Sequence, residues 1–145
     1  MHYNSVDHFL TVHAARIPAV LLAAWQQVGG YYATQTPAAQ QAQAEGVGQV
    51  VLATLRRGAI DQAETQAEME GLAAQGIPLA DIRHGSEGIE AGLRALVAAE
   101  LADQPDLRQE LERRIGHLGA RVRARVTTAE MDHTLRRLTG PGTNS

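Results

Sequence analysis

Apolar residues recur at helical spacing along the last third of the chain. The positions of this stripe are Leu107, Leu111, Ile115, Leu118, Val122, Val126 and Ala129, and His133 closes it. Steps of three or four residues are typical of one face of an α-helix. Pro105 suits a first helical turn, and Gly140-Pro141-Gly142 ends the run. The pattern therefore predicts a helix from about Asp106 to Thr139.

That helix is long for its domain. At 1.5 Å per residue it extends about 50 Å, whereas a compact domain of this size is about 38 Å across. We expect it to project from the domain or to pair with a partner. The apolar residues of the stripe recur about every 3.67 residues, which is the spacing of an 11-residue repeat over three helical turns. That spacing favours straight or slightly right-handed pairing of two such helices. We expect the first half to pack on its own domain and the second to form a dimer and output surface, whose candidates are Leu118, Val122, Val126, Ala129 and His133.

The rest of the chain also indicates helices, because β-branched and aromatic residues are sparse and no period-2 alternation persists. Asn4 or Ser5 can cap a first helix, which ends near Arg16, and Pro18 kinks it or opens the next. Further helices are predicted from Thr36-Pro37 to Gly58, from Ile60 to Gln75, and from Pro78 to Leu101. The fold class is therefore an all-α bundle of five or six helices in one domain, 1–139. The tail, 140–145, is predicted to be disordered or the start of a linker.

Composition narrows the function classes. The 145 residues include no cysteine and no lysine, and the net charge is −3. Disulfides and thiolate metal sites are excluded, and no overall basic field favours nucleic acid. The longest apolar run, Ile17 to Trp25, is well short of the ~20 residues that span a bilayer. We expect a soluble, cytoplasmic protein with no membrane or nucleic-acid partner.

No constellation of residues predicts catalysis. The six histidines include no pair at the i, i+4 spacing of a helical metal site. Serine is scarce, and none lies in a nucleophile-elbow setting. We therefore expect no enzyme activity, no metal and no cofactor.

Three glycines, Gly85, Gly88 and Gly92, share one face of the helix after Pro78. One interpretation is the close approach of a crossing helix. The other is room for a ligand against the backbone, with a candidate pocket made of Trp25, Tyr31, Tyr32, Gly85 and Gly88. The spacing leaves both open.

The order of these segments resembles the globin-like sensor domains that precede a STAS domain in RsbR-type stressosome proteins. The stretches that carry the resemblance are Ile17-Pro18 through Trp25 to Tyr31-Tyr32, the turn Gly76-Ile77-Pro78-Leu79, and the final arginine-rich helix. Haem-carrying relatives of such sensors place a proximal histidine about a turn before the glycine-proline turn. Here Gly71 to Gln75 contains none, so the resemblance implies the non-haem branch. If haem is bound, His84 is the candidate ligand.

The leading hypothesis is a non-enzymatic regulatory sensor domain for bacterial stress signalling. It forms a homodimer through the long helix and passes a signal to a C-terminal STAS-like effector or to stressosome proteins. The alternatives are a haem-binding gas sensor that uses His84 and a helical receptor for a small molecule beside Gly85 and Gly88.

Overall fold

A computed structural model describes residues 1–58, 67, 70–71 and 74–139, and these residues form helices and connecting turns without strands. The all-α class is therefore confirmed. The helices are α1 (Val6–His13), α2 (Ile17–Val28), α3 (Gly30–Ala33), α4 (Pro37–Arg57), α5 (Leu79–Glu100) and α6 (Pro105–Thr139), with a 3₁₀ turn, Ala14–Arg16, between α1 and α2.

Local signals set most of these boundaries. The Ser5 hydroxyl accepts a hydrogen bond from the His8 amide at 3.0 Å, and Thr36 accepts one from Ala39 at 3.1 Å. Gly58 ends α4 with a φ of 70°, a left-handed conformation that favours glycine. The predicted helix from Ile60 to Gln75 lies mostly outside the described residues, although Ala67, Glu70, Gly71 and Ala74 are helical. The predicted tail, 140–145, also lies outside them.

The helix α5 is the centre of the bundle and packs antiparallel to both α2 and α6. Against α6, Glu90 contacts Arg123 at 2.5 Å, and Arg83 pairs with Glu130 further along. In both of these pairs, a step towards the start of α5 matches an equal step towards the end of α6. The same pairing places Leu79, the first residue of α5, opposite Thr134. Beyond that point α6 has no α5 residue beside it.

The three glycines of α5 form its contact with α2. A Cβ atom on Gly85 would lie 3.3 Å from Trp25, one on Gly88 3.0 Å from Ala24, and one on Gly92 2.7 Å from Val20. The interpretation of a crossing helix is confirmed, because every one of the three positions faces the same neighbour. The core that results is continuous; its fully buried large residues are Phe9, Ile17, Leu21, Leu55, Leu101, Leu111, Ile115 and Val126.

Candidate functional site

The last nine described residues of α6, Met131–Thr139, are all exposed. We call this segment the overhang. Its large apolar side chains are Met131, Leu135 and Leu138, with exposed fractions of 62%, 57% and 69%. Their spacing of four and then three residues places them on one face of the helix. The overhang therefore presents a small apolar surface that its own domain leaves uncovered.

This apolar surface is not the face that the sequence pattern predicted. Val126 is fully buried in the core of its own domain, and Leu118 and Val122 pack partly against that core. At 100° per residue, the three apolar residues of the overhang lie about 120–180° around the helix from Val126. The prediction that Val126 belongs to a dimer surface was wrong, because Val126 is buried inside the monomer. Leu118 and Val122 are only partly buried, and their part in a dimer surface remains a prediction.

Ala129 and His133, the other two predicted members of the dimer surface, present no large apolar side chain to solvent. Ala129 is half-buried, and His133 is exposed on the side of the overhang away from Leu135. Periodicity shows which face of a helix is apolar, but it does not show whether the chain itself or a partner covers that face.

Charged residues flank the apolar face of the overhang in a regular order. Asp132 and Arg136 lie on one flank and form an ion pair at 3.0 Å. Glu130 and Arg137 lie on the other, and Glu130 pairs with Arg83 of α5. On each flank the acid is nearer the domain and the arginine is nearer the end of the helix.

The predicted pocket residues are brought together, but the space between them is filled. The rings of Trp25 and Tyr32 stack with centroids 5.2 Å apart, and a Cβ on Gly85 would lie 3.1 Å from the Tyr32 hydroxyl oxygen. Burial, with a contribution from the charge of Asp81, raises the pKa of Tyr32 to about 12. Tyr32 is therefore a neutral core residue against the α5 backbone.

The ring of Tyr31 meets the ring of Tyr32 edge-on, with centroids 6.2 Å apart, and its hydroxyl reaches the loop before α5. Its hydroxyl donates to the Gln75 carbonyl at 3.0 Å, while its backbone amide donates to Asp81 at 3.0 Å. Gly88 is closed by Ala24. The packing of α2 against Gly85 and Gly88 gives the alternative of ligand room no support, and the candidate pocket remains a prediction.

His84 lies on the surface of α5. Its side chain is 62% exposed, and its nearest charged partner is Glu87 at 3.8 Å. This position gives the haem alternative no support. Within the described ranges, no three potential metal-ligating side chains cluster.

An open groove runs between α2 and α4. Its volume is about 750 Å³, and small side chains such as Ala15, Ala19 and Gly46 form much of its lining. The groove's acid, Glu45, accepts a hydrogen bond from Gln41 at 3.1 Å. Gln49 lies one turn further along α4, so Gln41, Glu45 and Gln49 place three polar side chains along the groove. The receptor alternative therefore remains a prediction.

The sequence pattern did not predict a polar cluster that forms around the buried residues Tyr3 and His13 near the N-terminus. The Tyr3 hydroxyl lies 2.7 Å from Nε2 of His13, and Arg16 contacts Nδ1 of the same ring at 3.3 Å. Glu100, at the end of α5, is 3.9 Å from His13 and 3.0 Å from Arg16. The local sequence feature that could have indicated a buried His13 is Phe9, one turn earlier on the same helix. The ring centroids of Phe9 and His13 lie 4.6 Å apart.

Among the described residues, the helical run Val6–Val28 is long and apolar enough to be a candidate membrane span. Core helices of soluble proteins can be equally long and apolar, and Phe9, Leu21 and Trp25 of this run are buried in the bundle. The expectation of no membrane contact remains a prediction.

Comparisons with protein-family models, with curated proteins and with solved structures found no match to this chain. The globin-like resemblance and its functional implications therefore remain predictions.

Proposed function

We propose that this chain is a non-enzymatic regulatory domain that self-associates through the overhang and transmits a signal along α6 to a C-terminal effector. The overhang carries the proposal. A helix that leaves its domain with three large apolar side chains on one face resembles an interaction surface more than a solvated end.

The other end of α6 supports the transmission step. The Arg114 guanidinium donates to the carbonyl oxygens of Leu55 at 2.8 Å and Arg56 at 3.2 Å, where α4 ends. Arg123 is bound to Glu90 of α5. Because one uninterrupted helix joins these contacts to the overhang, a shift of α4 or α5 would move the overhang with it.

The resemblance to RsbR-type sensors suggests the class of effector. A STAS-type domain or another stressosome protein is the proposed recipient of the signal, and bacterial stress signalling is the proposed setting.

Three apolar side chains make a small interface compared with the roughly 1,600 Å² of a typical stable complex. We therefore expect self-association that depends on protein concentration and is evident at high micromolar concentration. Sedimentation equilibrium over a dilution series measures it directly.

The variant Leu135→Glu places a charge at the centre of the apolar face and should make the chain monomeric over the same range of protein concentrations. His133→Glu is the matched control, because it adds the same side chain on the opposite side of the overhang. Val122→Glu is unsuitable, since Val122 packs partly in the monomer core. A wild-type chain that is monomeric throughout, or equal effects of the two variants, would overturn the proposal.

A further inference from the structure

We infer that two copies of this chain pair antiparallel through their overhangs, so that the end of each α6 lies against the other copy's domain-proximal turn. This rests on the self-association proposed above and adds the orientation of the partner. The observation that carries it is the order of charges on the two flanks of the apolar face.

In an antiparallel pair of helices, each flank meets the same flank of the partner. With Leu135 at the centre, Asp132 of one copy lies about 3 Å along the axis from Arg136 of the other, and Glu130 lies about 4.5 Å from Arg137. The long arginine side chains span these offsets. All of these contacts join opposite charges, because each flank has its acid nearer the domain and its arginine nearer the helix end.

In a parallel, in-register pair, each flank meets the opposite flank of the partner. Asp132 then faces Glu130, and Arg136 faces Arg137. These contacts join like charges on both sides of the apolar face. Charges at the rim of an interface select orientation and partner more than they add affinity, so the order of charges favours the antiparallel pair.

The existing ion pairs do not remove this preference. Asp132 and Arg136 are linked within the helix, yet their side chains remain 57% and 79% exposed. An exposed carboxylate can accept from two guanidinium groups. The antiparallel arrangement therefore adds contacts between opposite charges to the ion pairs already present, whereas the parallel arrangement places like charges beside them.

Disulfide mapping in the full chain distinguishes the two orientations. The natural chain has no cysteine, so the double variant Met131→Cys with Thr139→Cys contains only the introduced thiols. With Leu135 at the centre of an antiparallel pair, position 131 of one copy lies opposite position 139 of the other. Within one helix these positions are about 12 Å apart, too far for an internal disulfide.

After mild oxidation, a non-reducing gel should show a covalent dimer. Trypsin cleaves after Arg136 and so separates the two positions. The expected product joins a peptide with position 131 to a peptide with position 139, and products that join like positions would overturn the inference. His133→Cys, on the far side of the helix, is the control for random collision.

Two further outcomes separate this inference from the proposed function. A chain that self-associates but forms no disulfide in the double variant would overturn the inference and leave self-association standing. A chain that is monomeric at all concentrations would overturn both.

Salt gives a second and independent readout on the natural chain. Attraction between opposite charges is screened by salt, so antiparallel self-association should weaken as sodium chloride rises. Stronger association at high salt would indicate like charges at the interface and would overturn the inference.

Discussion

His13 is a buried histidine placed where protonation is costly. Burial lowers its pKa below the ordinary 6.5, and Arg16 acts in the same direction, while Glu100 opposes them. The unfolded chain therefore binds a proton more readily than the folded chain as the pH falls below 6.5. The stability that neutral His13 provides is present above that pH and is lost as the pH falls through the lowered pKa.

We therefore predict that the free energy of unfolding falls between about pH 7 and about pH 5, and that His13→Gln reduces this dependence. Urea titrations at the two pH values measure it. Glu110 does not contribute to the pH dependence between pH 7 and pH 5, because hydrogen bonds from Arg113 and Arg114 lower its pKa to about 2. His117→Gln, which removes an exposed histidine, is the control; an equal effect of both variants would contradict the assignment to His13.

At the scale of elements, the packing of α5 on α2 depends on positions without a side chain. Gly88 faces Ala24, whose Cβ cannot move away by rotation, whereas a Cβ on Gly46 in α4 would meet nothing within 4 Å. Alanine in place of glycine favours a helix by about 0.5–1 kcal/mol. Overpacking a core contact costs about 1–3 kcal/mol.

The two alanine variants should therefore change stability in opposite directions. We expect Gly46→Ala to raise the free energy of unfolding by about 0.5–1 kcal/mol and Gly88→Ala to lower it by about 1 kcal/mol. Urea denaturation at pH 7 measures both against the natural chain. A similar gain for the two variants would mean that the helices are less closely packed at Gly88 than the structure shows.

Helix ends were predictable here, while helix partners were not. Thr36-Pro37, Gly58 and Pro105 act on the residues beside them, so both limits of α4 and the start of α6 follow from local chemistry. The free face of α6 depends on where α5 begins, which no local pattern contains. For the same reason Trp25, Tyr32 and Gly85 were correctly grouped, but the filling of the space between them required the fold.

At the scale of the whole molecule, the domain and the overhang should be separable. The overhang buries no large apolar side chain in its own domain, and the last described ion pair between α5 and α6 is made by Glu130. A chain that ends after Glu130 should therefore keep the free energy of unfolding within about 0.5 kcal/mol. The comparison is made at low protein concentration, because self-association adds apparent stability.

A chain that ends after Arg125 is the matched comparison. It additionally removes Val126, which is fully buried, and Glu130, so it should lose about 2 kcal/mol or more. Both shortened chains lack the overhang and should be monomeric in sedimentation experiments, whereas only the shorter one should also be destabilised. If the chain ending after Glu130 still self-associates, the contact between copies lies on the domain, and α6 leaves its domain for another purpose.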